Sequence, residues 1–203
     1  MTPRSLTSLA PLVVALGLAL AACTGEPAQE PTEAESTTPT PEPTVSQEPA
    51  ELAFAMPADC REMLPADRQS KLEAEGRILL GGPGGKYPQY YSDPTPEEQA
   101  GGMSCIWGDE AAPESTVTVS VAPLSAGTRG GIVDNLIAQG LNEAVVEDGV
   151  SYAQIGDENS APGVFNILRD DSWISVIEAL GGESRFDEAV QLATEAASQA
   201  YRG

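Results

Sequence analysis

The stretch Lys86-Tyr87-Pro88-Gln89-Tyr90-Tyr91-Ser92-Asp93-Pro94 holds three of the chain's five tyrosines in one proline-bounded loop. Tyrosine presents a large amphipathic surface at low conformational cost, the property that recognition loops use against glycans, peptides and proteins. Tyr87, Tyr90 and Tyr91 are therefore the candidate ligand-binding residues, with rings folded back over a sheet edge as the structural alternative. Just upstream, Gly81-Gly82-Pro83-Gly84-Gly85-Lys86 has the look of a phosphate loop. The pattern fails, because it needs glycine where this chain has Leu80 and serine or threonine where it has Tyr87, and a surface turn remains. Asp157-Glu158-Asn159-Ser160 begins like a calcium loop, but Ala161 and Pro162 stand where a further ligand and the turning glycine are needed. Asp170 and Asp171 form a carboxylate pair; paired acids hydrolyse glycosides when held about 5 to 9 Å apart, whereas adjacent aspartates in a hairpin serve as turn formers. The chain has no histidine, which excludes a Ser/His/Asp triad, a Cys/His pair and His-ligated zinc. No catalytic residue, metal ligand or cofactor is assigned on this reading, and whether the protein is an enzyme stays open.

The three cysteines divide by position. Cys23 follows a short basic start at Arg4, an apolar stretch from Leu9 to Leu20, and Ala21-Ala22. The apolar stretch contains Pro11 and Gly17 and runs for only about a dozen residues, against roughly 20 for a membrane-spanning helix, so residues 1–22 read as a signal peptide. Leu20-Ala21-Ala22-Cys23 resembles the lipobox of bacterial lipoproteins. That resemblance implies a diacylglyceryl group on Cys23 and attachment to the outer face of a cell membrane. Cys60 and Cys105 remain as an even pair in an oxidising compartment, and a disulfide between them is expected. A catalytic thiol pair is the alternative, but there is no Cys-x-x-Cys and no basic residue beside Cys105.

Residues 24–52 hold six prolines and seven glutamates and no lysine, arginine or aromatic residue. Such a composition buries too little apolar surface to offset its ordering entropy, so residues 23–52 are expected to be a lipidated, disordered tether, with a reach of roughly 90 Å if extended. Its threonines among prolines, Thr32, Thr37, Thr38, Thr40 and Thr44, are alternative glycan acceptors. Residues 53–203 then form the expected single globular domain, with 24 Asp and Glu against 9 Lys and Arg. The whole chain carries a net charge of -21, which argues against nucleic acid as a partner, because phosphate affinity comes from lysine and arginine.

These groups need elements to hold them. Ala58 or Asp59 can open a helix through Cys60, Met63 and Leu64, broken at Pro65 and resumed from Asp67 to about Glu75. Met103 to Trp107 alternates so that Met103, Cys105 and Trp107 share a face, and Val117, Val119 and Val121 alternate with Thr116, Thr118 and Ser120 in another strand. Ile132, Val133, Leu136 and Ile137 lie on one helical face ending at Gly140. Ala144–Val146 with Val150–Ile155, and Val164–Arg169 with Ser172–Leu180, read as two hairpins; apolar groups on both faces of the last strand suggest a central position. Ser184 and Asp187 resemble a capping box that opens a final helix with the stripe Phe186, Val190, Ala193, Ala197 and Tyr201. The expected class is α+β: an antiparallel sheet of about five or six strands, helices packed mainly on one face, and one disulfide.

The lipobox, the Pro/Thr/Glu-rich segment, Cys60 followed by Met63-Leu64-Pro65, the later Cys105-x-Trp107, the strand with Trp173 and the alanine-rich C-terminal helix together resemble actinobacterial cell-envelope lipoproteins of uncharacterised function. The resemblance is closest over residues 1–122, and it implies a Cys60–Cys105 disulfide while implying no activity. Two functional expectations follow. The first is a non-catalytic domain that binds a cell-wall glycan, a lipid or an envelope protein; the alternative is a carboxylate-dependent hydrolase of cell-wall polymers, which needs a cleft with two converging acids.

Overall fold

The computed structural model describes residues 53–147 and 149–202. The signal peptide expected at residues 1–22, the lipidation site Cys23 and the tether at 23–52 lie outside the described residues. No helix among the described residues is long and apolar enough to cross a membrane.

The described chain runs α1 (Ala66–Ala74), β1 (Ile78–Gly81), α2 (Pro96–Gln99), β2 (Met103–Asp109), β3 (Ala112–Pro123), α3 (Ala126–Ala138), β4 (Asn142–Val146), β5 (Gly149–Gln154), β6 (Gly163–Leu168), β7 (Ser172–Glu178) and α4 (Glu183–Ala200). All strands pair antiparallel in one seven-stranded sheet of order β1-β2-β3-β7-β6-β5-β4. The class is α+β as expected, and β1 adds a strand to the six that alternation reveals. The chain lays down two meanders, β1 to β3 and β4 to β7, which join where β3 meets β7. β7 thus holds the central position that its two apolar faces imply.

Because side chains alternate across a strand, the sheet has two faces of different chemistry. One face carries Cys105, Trp107, Val117, Val119, Val121, Phe165, Ile167, Ile174 and Val176, all buried. It is covered by α4, by Leu72 of α1 and by the Cys60–Leu64 segment. α4 packs through Ala189, Ala193, Ala196, Ala197 and Ala200 around a single large residue, Leu192, so the helix backbone can approach the sheet closely. Phe186, Val190 and Tyr201 of the expected stripe flank this contact. The Cys60–Cys105 disulfide is present and pins the N-terminal segment to β2 in the same cluster as Trp107.

The other face is only partly covered. Leu136 of α3, with Ile132 and Val133 beside it, packs on Trp173, Val164, Leu168 and Tyr152. Ile137, expected on the same helical stripe, faces solvent instead. α3 is opened by a reciprocal Ser125–Thr128 cap and stops as expected at Gly140, whose φ of +84° only glycine adopts without strain.

Two helix starts differ from expectation. Residues 58–64 form turns rather than helix: the Asp59 carboxylate accepts from Arg61 N–H at 2.7 Å and Cys60 N–H donates to Pro83 at 3.2 Å, so local and tertiary bonds take the donors that a helix would use. α4 begins at Glu183 with Gly182 as its N-cap; glycine has no side chain to cap with, and its N–H is tied to Ile155 of the loop after β5.

Candidate functional site

Between the partly covered sheet face, α2 and α3 lies a concavity of about 660 Å³. Its floor is set by strand register. Ser104 of β2 opposes Ser120 of β3, Ser120 opposes Ser175 of β7, Ser175 opposes Asn166 of β6, Asn166 opposes Tyr152 of β5, and Tyr152 opposes Glu143 of β4. One polar side chain from each of six strands thus forms a row running across the sheet, and its middle members Ser120, Ser175 and Asn166 line the cavity. Members of the row satisfy one another and their neighbours: Ser104 and Ser120 hydroxyls are 2.8 Å apart, Asn166 accepts from the Trp173 indole N–H at 2.9 Å and donates to the Tyr152 carbonyl, and the Tyr152 hydroxyl donates to Glu143 at 2.8 Å. Apolar walls come from Ile132, Leu136, Val164, Trp173 and Ile177.

The rim is built by the segment between β1 and β2. Thr95 caps the single-turn α2 in a reciprocal box with Glu98, and its hydroxyl reaches Ser104 of the polar row at 2.7 Å. This places the next helical acid, Glu97, over the cavity with only 4% of its surface exposed. Burial pushes the Glu97 carboxyl above its ordinary range, while its own N–H and the hydroxyls of Ser175 and Thr95 pull the other way. Among the described residues, no lysine or arginine lines the cavity, and Glu97 is its only acid.

Tyr90 and Tyr91 stay together, and Tyr87 is turned away from them. Tyr91 lines the cavity, its hydroxyl 2.9 Å from that of Thr118. Tyr90 stacks edge-on against Tyr91 at 5.3 Å and leans on β1, where a Cβ on Gly81 would stand 2.6 Å from its own. That contact is why the strand ends in glycine. Tyr87 turns to the β2–β3 connection and donates to Glu110, which Lys86 also pairs. All three rings keep a large exposed fraction, and the loop pairs back on β1 through Lys86 and Tyr87 N–H groups.

The other motifs resolve into local structure. The Asp157 carboxylate accepts from the N–H groups of Asn159 and Ser160 and from the Ser160 hydroxyl, and so forms a turn. Asp170 and Asp171 lie in the β6–β7 connection, with Asp171 accepting from Tyr201. Among the described residues no cluster of three or more cysteines and acids is placed to hold a metal ion.

A second, charged concavity of about 850 Å³ lies between α1, the β2–β3 hairpin and the start of α4. There Arg77 pairs with Glu75, Glu178 and Glu188, Arg185 also reaches Glu178 and Glu188, and Arg68 pairs with Glu195 at 2.7 Å. These ions join the helices to the sheet from opposite ends of the chain.

Sequence reasoning missed both Glu97 and the polar row. The signal for the first was present: Thr95-Pro96-Glu97-Glu98 is a capping box with proline at the first helical position. The row has no local signal, since each strand contributes one polar residue and only register aligns them.

Comparison with protein-family models, with curated proteins and with solved structures finds no match.

Proposed function

We propose that residues 53–203 are a non-catalytic, ligand-binding domain held at the outer face of a cell membrane by a lipidated Cys23. The observation that carries the binding part is the 660 Å³ concavity, which has apolar walls, a satisfied polar floor and one buried acid. That size and mix suit a small molecule, or the end of a larger lipid or glycan, rather than the broad flat contact of a protein partner. A carboxylate-dependent hydrolase needs two acids facing one cleft, and the single carboxyl of this lining supports binding over hydrolysis. The anchor rests on the apolar stretch, Leu20-Ala21-Ala22-Cys23 and the Pro/Glu-rich segment after it, and the disulfide agrees with an oxidising compartment.

Ala138 stands exposed at the mouth of the cavity on α3, so Ala138→Trp fills the entrance at little cost to the fold. Native mass spectrometry of the protein isolated from its own membranes is expected to show a bound small molecule that Ala138→Trp loses. Equal occupancy in both proteins, or none in either, would count against the cavity as a binding site. For the anchor, Cys23→Ala should leave the protein soluble or unprocessed; retention on the membrane at the mature mass would sink that part.

A further inference from the structure

We propose that the cavity selects an amphiphile with a cationic amine head, the ammonium pairing with Glu97 and the apolar portion lying against Trp173, Ile132 and Leu136. This rests on the ligand-binding reading above and adds the chemical class of the ligand. Four observations lead to it. The Glu97 side chain is more than nine-tenths buried, lines the cavity and has no basic partner there among the described residues. An unpaired buried carboxylate is costly, and a cation delivered by the ligand offsets that cost only in the bound state. The groups around it are donors, namely its own N–H and the hydroxyls of Ser175 and Thr95. Burial raises this carboxyl in the empty site, and the donors are placed to hold the ionised form once a cation lies beside it; a carboxyl kept neutral to donate to a sugar hydroxyl would be faced by acceptors. Finally, the lining offers no lysine or arginine to an anionic head, and a domain with 24 acids against 9 bases raises the local concentration of cations.

Hexylamine, hexanol and hexanoate share one apolar tail and differ in head group. Titrated into the full-length protein, each is read by the indole N–H resonance of Trp173, which Trp173→Phe identifies; the chain has only two tryptophans. Hexylamine should shift that resonance and bind at least about tenfold more tightly than the other two, the worth of one charge-assisted bond. Glu97→Gln, which keeps the shape, should bring hexylamine down to the affinity of hexanol. Hexanol or hexanoate binding as tightly as hexylamine would overturn the amine preference and leave the ligand-binding reading intact. So would a hexylamine effect that spares the Trp173 indole, since that marks only the acidic surface. Displacement of hexylamine by millimolar calcium or potassium acting through Glu97 would replace the amphiphile with an inorganic cation. Binding of none of the three overturns the amine proposal, and the native mass spectrum of the isolated protein decides the ligand-binding reading separately. The comparison of probes on the unaltered protein decides the matter even if Glu97→Gln fails to fold.

Discussion

Two buried acids give this protein a dependence on pH that composition alone does not announce. Glu178 is 1% exposed, sits within ion-pair reach of Arg77 and Arg185, and is pushed up to about 8 by burial and by the nearby charge of Glu188. An acid whose folded pKa lies above its unfolded value binds more protons when folded, so its contribution is whole below about pH 4.5 and is lost as pH rises towards 8. Glu97 acts in the same direction. Glu75, which Arg77 holds below the usual carboxylate range, acts oppositely but only in more acid solution. Denaturant unfolding should therefore give higher stability at pH 5 than at pH 8, by on the order of 2 kcal/mol. Glu178→Gln should flatten most of that slope, and an unchanged slope would show that other groups carry it. Neither acid stands out in the sequence. Alternation puts Glu178 on the apolar face of Ile174 and Val176, and Arg77, far earlier in the chain, is the partner that lets an acid sit there.

The elements divide by how local their causes are. Strands with strict alternation, such as β2 and β3, and α3 with its terminal glycine, are legible because pattern and stop signals lie within a few residues of each other. β1 is not: Ile78-Leu79-Leu80-Gly81 is short, shows no alternation, and becomes a strand by pairing with β2. Residues 58–64 look helical, yet the disulfide and the bond from Cys60 to Pro83 decide their shape from outside. α2 was missed although Thr95-Pro96-Glu97-Glu98 carries its start signal, and its cap is the link between helix and site. Thr95→Ala should cost about 1 kcal/mol in unfolding free energy and, by freeing Glu97, should lower ligand occupancy more than stability. A test is to compare the two losses in one titration series; loss of stability with full occupancy would separate the cap from the site. α4 depends instead on small side chains. Ala196, fully buried, has no room to grow, and Ala196→Leu should destabilise by about 1 to 3 kcal/mol in denaturant unfolding.

At the scale of the whole molecule, the disulfide spans 45 positions and ties the segment before α1 to the second strand. Replacing both cysteines by alanine should lower stability by about 2 to 5 kcal/mol, read as a reduced denaturant midpoint, and reduction of the unaltered protein should do the same. The pairing was legible from the cysteine count and the compartment expected from the N-terminal sequence, and the α+β class and the central place of β7 from strand patterning. The cavity was not, because it exists only where two meanders meet and a third layer stops short. The polar row on its floor has one more consequence. β2, β3, β5, β6 and β7 each carry a serine, asparagine or tyrosine of the row at a single height, and a slip of one residue in any of them would turn that side chain into the apolar layer under α4 and bring an apolar one out in its place. The row therefore acts as a vernier for folding, admitting one alignment of the strands and penalising each neighbouring one. In the proposed binding role, recognition would draw on the same side chains as assembly, so a substitution such as Ser120→Val that makes the floor greasier also blurs the marks by which the strands find their places.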